Sequence, residues 1–234
     1  MVAGGGTGIG LACARALTAA GYSVTVLGRR EAPLLAAVAS GAAAGLLVAD
    51  ARTPPPLRHS FSVLVNAAGV AESAPFNRTP VEMFQRALEV NLLAAVALTH
   101  ALLPGMLAAG HGRVVHIAST AALRGYAYTT AYTASKHALL GFCRALALEV
   151  AAKGVTVNAV CPGFTETAIV ADSIARIAAR NGRGDAEARA ELTRHNPQGR
   201  LVQPEEVAAA VLYLCGDGAA AVNGVALPVA GGEI

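Results

Sequence analysis

The sequence predicts an α/β fold, a parallel sheet covered by helices on both faces, and three observations carry that prediction. Apolar strand-like runs alternate with helix-period segments along the whole chain, the arrangement that calls for a doubly covered sheet. A glycine-rich turn joins the first run to the first helix. No internal repeat or compositional break divides the 234 residues, a length that can bury a substantial core as one domain.

Taken in order, the first strand is short, because only Met1, Val2 and Ala3 precede Gly4. Trimming a strand in this position costs stability, and its brevity leaves open a start upstream of Met1. Strands follow at residues 22–27, 46–49, 62–65, 114–118, 155–160 and 224–228, each an apolar run bounded by turn residues. Helices are predicted at residues 10–20, 31–40, 81–109, 128–153 and 204–215, where apolar positions recur at helical spacing. Between Asp50 and Ser62 no helix fits, because Pro54-Pro55-Pro56 removes three amide donors. Residues 169–179 and 186–195 read as two further helices around an Asn181-Gly182-Arg183-Gly184 turn.

Two motifs point to chemistry. In Tyr132-Thr133-Ala134-Ser135-Lys136 the tyrosine and lysine lie on one helix face. A free phenol, with a pKa near 10, is a poor acid or base at neutral pH. An ammonium within about 4–6 Å favours the ionised phenol, and a phenol so tuned can move a proton as an alcohol and a carbonyl interconvert. Ser119, thirteen positions before the tyrosine, ends an apolar strand and can hydrogen-bond the reacting oxygen. The second motif is Ala3-Gly4-Gly5-Gly6-Thr7-Gly8-Ile9-Gly10. Its glycines at 4, 8 and 10 make a tight turn, admit a pyrophosphate to the backbone and aim the helix N-terminus at its charge.

Together these motifs resemble the short-chain dehydrogenase/reductase family, over nearly the whole chain. The family's glycine pattern is present with Ala3 in place of a threonine, and its Asn-Asn-Ala-Gly motif stands as Asn66-Ala67-Ala68-Gly69. Its catalytic asparagine matches Asn91, its serine Ser119 and its Tyr-x-x-x-Lys pair Tyr132 and Lys136. Its Pro-Gly turn matches Pro162-Gly163 after the strand ending Val160-Cys161.

The resemblance implies a Rossmann-type sheet of about seven strands in the order 3-2-1-4-5-6-7. It implies a catalytic tetrad of Asn91, Ser119, Tyr132 and Lys136, with a water held by Asn91 passing protons to Lys136. The implied dinucleotide site comprises Gly4, Gly6, Thr7, Gly8, Ile9 and Gly10; Arg29 and Arg30; Asp50 and Ala51; Asn66, Ala67 and Gly69; Tyr132 and Lys136; and Pro162, Gly163, Thr165 and Thr167. Relatives that prefer NAD carry an acidic residue at the end of the second strand, where this chain has Gly28-Arg29-Arg30. A guanidinium pairs well with a 2′-phosphate, so NADP(H) is favoured over NAD(H).

The implied strand order also requires a crossover of three inter-strand steps, about 14 Å, and a return of about 17 Å along the sheet. Residues 51–61 reach about 34 Å in polyproline geometry. The crossover is therefore expected as an extended strap, with an apolar groove beside the adenine end of the site.

The expected reaction is reduction of a 3-oxoacyl thioester or related hydrophobic ketone. Two alternatives stand beside it: an NAD-dependent dehydrogenase of a hydroxyacyl-CoA or cyclic secondary alcohol, and a dinucleotide-binding sensor or scaffold without useful turnover. A variable substrate lid is expected over residues 165–200, where Arg176, Arg180, Arg183, Arg189 and Arg194 serve either a phosphorylated carrier or solvated helix faces.

Bulk properties exclude several classes. A formal charge of +3 with no basic block argues against a nucleic-acid partner. No unbroken apolar run approaches about 18 residues, since Thr99 and His100 stop the run at 92–98, and no secretory signal precedes the glycine turn. The expected location is cytoplasmic, and the Asn77-Arg78-Thr79 acceptor sequence is expected to be idle. Six histidines without ligand spacing predict no catalytic metal, and four unpaired cysteines read as small buried thiols. Alanine-rich faces on helices 81–109 and 128–153 permit the close packing of the homotetramer that the family implies.

Overall fold

The computed structural model describes residues 1–57, 59–181 and 184–234. The strands are β1 (Val2–Ala3), β2 (Thr25–Gly28), β3 (Gly45–Val48), β4 (Val63–Asn66), β5 (Gly112–Ile117), β6 (Val155–Pro162) and β7 (Ala226–Val229). They form one parallel sheet in the order β3-β2-β1-β4-β5-β6-β7, as expected. The helices are α1 (Gly8–Ala19), α2 (Glu31–Ala39), α3 (Val81–Leu88), α4 (Ala94–Ala109), α5 (Thr130–Val150), α6 (Ala168–Asn181), α7 (Asp185–Thr193) and α8 (Pro204–Cys215). Gly182 and Arg183 of the expected turn lie outside the described residues, as do the side chains of Arg176 and Arg180.

Alternation along each central strand sends side chains to opposite faces. On one face Ala3, Leu27, Leu64 and Val114 meet Leu98, Leu102 and Met106 of α4 and Leu139 and Cys143 of α5. On the other, Val2, Val26, Val65 and Val115 meet Cys13 and Leu17 of α1 and Val207, Val211 and Leu214 of α8. All four cysteines are buried and free. Among the described residues no group of three or more His, Cys, Asp or Glu side chains could hold a metal ion.

The trimmed strand β1 is central, pairing Val26 and Leu27 on one side and Val65 and Asn66 on the other. The ladder continues past its ends. Val65 N donates to Met1 O at 2.9 Å, Ala67 N to Ala3 O at 2.9 Å, and the Met1 amine to Val63 O at 2.7 Å.

From β3 to β4 the chain crosses without a helix among the described residues. Leu57 and Phe61 of this strap pack against the core. Gly105 of α4 lets the strap approach, since a Cβ there would stand 3.2 Å from Ser60 Cβ.

Two local departures matter for the site. The fifth helix starts at Thr130 rather than residue 128, because Tyr128 sits at φ +68°, a left-handed conformation that interrupts a helix. The helix expected over 81–109 is continuous but contains a π turn at Glu89–Leu93. By length and mean hydropathy this helix is long and apolar enough to cross a membrane, although no unbroken apolar run in it is that long. The sequence expectation counted an unbroken run, whereas a helix averages over its Thr99 and His100. Here Ala94, Ala95, Leu98, Leu102 and Met106 pack on the sheet.

Candidate active site

The C-terminal ends of β4, β5 and β6 bring the expected tetrad together. Ser119 follows β5 in extended backbone (φ −178°), and its Oγ accepts from Ala121 N at 3.1 Å, capping a short turn at Thr120–Ala122. Ser119 also lies close enough to Tyr132 for its hydroxyl to favour the ionised phenol, so it does more than cap. Tyr132 lies on the first turn of α5, and Lys136, one turn on, is buried with Nζ donating to Ile117 O at 2.9 Å.

The electrostatics differ from the sequence expectation. Lys136 Nζ lies 5.8 Å from the Tyr132 ring centroid and is engaged by a strand carbonyl. Burial therefore dominates at the phenol and pushes it above its ordinary range, with the nearby Ser119 hydroxyl pulling the other way. Lys136 is itself pushed down to about 8 by burial. Near neutral pH Tyr132 stands as a protonated donor.

The π turn brings Asn91 inward, fully buried. Its Nδ2 donates to Val70 O at 3.1 Å and Ser135 Oγ at 2.9 Å, and its Oδ1 accepts from Val70 N at 2.9 Å. Both amide hydrogens are thus engaged, leaving one lone pair on Oδ1. Gly69 separates the asparagine from the lysine: a Cβ there would stand 3.1 Å from Asn91 Oδ1 and 3.6 Å from Lys136 Nζ.

The dinucleotide cradle passes a test of shape. Gly4 adopts φ +72°, and a Cβ on it would lie 2.9 Å from the Ala67 carbonyl; Gly8 adopts φ +52°. Thr7 precedes α1 without a side-chain cap, so the first-turn amides of the helix face outward for an anion. Thr167 closes the far side, its Cγ2 3.3 Å from a Cβ built on Gly8. Thr165 is buried, donating to Gly163 O at 3.0 Å, and Thr167 donates to Thr165 O at 3.3 Å. Gly6 lies beside Pro33, Ile9 of α1 packs on the core, and Gly163 N donates to Val229 O at 3.0 Å after Pro162. Asn66 is buried and accepts from Ala68 N at 3.2 Å. Arg29 and Arg30 are exposed after β2, and Arg29 is near enough to Asp50 to favour its ionised form.

Asp50 holds a surprise. Arg52 Nε donates to both of its oxygens at 3.1 Å, and Arg52 Nη2 adds a bond of 2.8 Å to Oδ2. Those bonds hold the carboxyl down at about 2. Nη1 of the same guanidinium reaches Glu89 Oε2 at 3.1 Å. Ala51 beside it is buried.

A family model described as Enoyl-(Acyl carrier protein) reductase matches residues 3–233. A chain from Streptomyces coelicolor with a provisional ketoacyl reductase name is 38% identical over 99% of this chain and 95% of its own. D-beta-hydroxybutyrate dehydrogenase of Cupriavidus necator is 34% identical over 100% of this chain and 96% of its own. The chain belongs to the short-chain dehydrogenase/reductase family. Its fold is that of a solved actinorhodin polyketide ketoreductase variant with NADPH, at TM-score 0.93 and 37% identity over 99% of this chain and 95% of that one. This short-chain dehydrogenase/reductase is an oxidoreductase that interconverts carbonyl and secondary alcohol groups with a nicotinamide dinucleotide.

Around these groups of the short-chain dehydrogenase/reductase lie four residues that sequence reasoning did not single out. Arg52 is one. Cys161 is another: it is buried on β6, and its thiol is pushed up to about 11 by burial. Tyr126 and Glu233 are the others, joined by a short hydrogen bond. Their partners are distant in the chain, so no local pattern announces them.

Proposed function

We propose that this enzyme reduces a 3-oxoacyl thioester or a related hydrophobic ketone, with NADP(H) as its preferred dinucleotide. The convergence of Ser119, Tyr132 and Lys136 beside the glycine cradle supports this reading best. The bound dinucleotide supplies hydride to the carbonyl carbon. Ser119 donates a hydrogen bond that orients the substrate carbonyl. Tyr132 gives its proton to the carbonyl oxygen, a role suited to a phenol that burial keeps protonated. Lys136 holds the ribose hydroxyls beside the reacting centre and restores the phenol's proton. Asn91, clamped by Val70 and Ser135, offers its remaining Oδ1 lone pair to a water beside Lys136. Residues 165–200 form the substrate lid, with Phe164, Val170, Ile174, Leu192 and Leu201 packed as its apolar base. Oxidation of a hydroxy acid or hydroxyacyl-CoA is the second reading, favoured by the hydroxybutyrate dehydrogenase relative.

Arg29 decides the cofactor. Paired titrations of NADPH and NADH are expected to give tighter NADPH binding. Arg29→Ala should weaken NADPH about tenfold or more, the scale of losing a hydrogen bond to a charged group, and leave NADH unchanged. Equal or tighter NADH binding by the unmodified enzyme would reverse the assignment.

We also propose a homotetramer built on the helices carrying Asn91 and Tyr132. Leu93, Leu107 and Leu148 stand 51%, 38% and 84% exposed on α4 and α5 and at their π turn, apolar surface that a partner copy would cover. Light scattering at micromolar concentration should give four chains; a monomer contradicts the assembly.

A further inference from the structure

After β7 the chain turns sharply through two left-handed glycines, Gly231 (φ +63°) and Gly232 (φ +92°), and returns Glu233 towards the loop that follows Ser119. There the Tyr126 hydroxyl meets Glu233 Oε1 and, at 2.8 Å, Thr120 Oγ1. Arg124 lies 5.1 Å over the Tyr126 ring, and its Nη1 reaches the main-chain carbonyl of Glu233 at 3.5 Å, so its charge is not on the carboxylate. Phe164 and His195 pack against the same ring at 6.3 and 5.9 Å. Four segments therefore meet at one knot: the loop after the serine, the turn after Pro162-Gly163, the end of the lid and the residues after β7.

The second oxygen of that carboxylate, Glu233 Oε2, is shut off from solvent and has no donor among the described residues. It would lie 3.0 Å from a Cβ built on Gly163, which puts it beside the Pro-Gly turn, while its sister oxygen reaches Thr120, next to Ser119, through Tyr126. A carboxylate oxygen offers two lone pairs, and leaving them unpaired in a dry site is costly. A group that enters the space between the serine loop and the Pro-Gly turn can supply that donor. We infer that Glu233, held in place by Tyr126, is a specificity determinant that accepts a hydrogen bond from a hydroxyl on the substrate, carried on a carbon beyond the reacting carbonyl. The substrate class is thereby narrowed from a plain hydrophobic ketone to a hydroxylated 3-oxo compound. This inference rests on the carbonyl-reduction reading above.

The test uses 3-oxohexanoate esters with NADPH: the parent, and its analogues hydroxylated at carbon 4, 5 or 6. The unmodified enzyme is expected to favour one hydroxylated ester over the parent by about tenfold in kcat/KM. Glu233→Leu should bring that ratio close to one while the parent ester is reduced as before, and Glu233→Gln, which keeps a neutral acceptor, should fall between. A merely structural role would lower both esters together and leave the ratio unmoved. NADPH binding, titrated separately, should be unchanged in both variants. No preference in the unmodified enzyme, a preference that survives Glu233→Leu, or a loss of NADPH binding at constant ratio would each overturn the inference; the last would assign the oxygen to the dinucleotide's carboxamide. Reduction of none of the esters would overturn the carbonyl-reduction reading and this inference with it, whereas reduction of all at equal rates would overturn this inference alone.

Discussion

Tyr132→Phe is expected to lower kcat by about 10²–10⁴-fold, the usual weight of a positioned general acid, while NADPH titrates as it does with the unmodified enzyme. The substitution removes one oxygen and keeps the ring, whose centroid lies 5.8 Å from Lys136 Nζ. Lys136 should stay where it is, because its Nζ is held by Ile117 O at 2.9 Å and not by the phenol. Ser119 keeps its bond from Ala121 N. What disappears is the phenolic hydroxyl proposed to deliver the proton. Steady-state reduction and a fluorescence titration on the same preparation separate the two effects. A variant turning over at near-normal rate would remove Tyr132 from the chemistry; one that no longer binds NADPH would make the residue structural.

Gly10→Ala is expected to cripple the dinucleotide cradle. A Cβ at this position would lie 2.2 Å from Gly4 O and 2.7 Å from Gly4 C, both backbone atoms that cannot swing away like a flexible side chain. In an ordinary helix the same change would gain about 1 kcal/mol of propensity. Here the turn must open instead, and overpacking of this kind costs about 1–3 kcal/mol. For a chain of this size each kcal/mol lowers Tm by about 2–4 °C. The expected outcome is a Tm several degrees lower and NADPH binding weakened by at least about tenfold, because Gly4 abuts the Ala67 carbonyl and cannot retreat. Unchanged Tm and unchanged binding would mean that the turn is far more pliant than its packing implies.

The sheet and the placement of Tyr132 and Lys136 one turn apart on a helix were legible because their signals are local. Strands such as Val114–Ala118 announce themselves as short apolar runs, and Tyr132 and Lys136 are related by one helical turn. The strap followed from the three prolines and from simple chain reach. Legibility failed where tertiary contacts decide. Glu233 meets Tyr126 across 107 positions, and Arg52 reaches Glu89 across 37. The π turn that seats Asn91 is a shift in hydrogen-bond register that leaves no mark on residue spacing. The balance at Tyr132 went the same way: the lysine was correctly placed on the tyrosine's face, but the Ile117 carbonyl claims its ammonium and burial sets the phenol's proton affinity.

Strand β1 has a consequence for how the chain assembles. Among the described residues, its two residues are the one strand that links the wing of β2 and β3 to the wing of β4–β7. The first wing closes over short sequence distances, Val2 meeting Val26 through a single intervening helix, whereas Val2 meets Val65 only across more than twice that separation. Closing the longer loop is slower and repays less until β4 is already in place. The two wings are therefore expected to form as separate folding units, with the glycine turn completing its shape only when they join. The seam that holds the dinucleotide is then the last part of the sheet to be sealed.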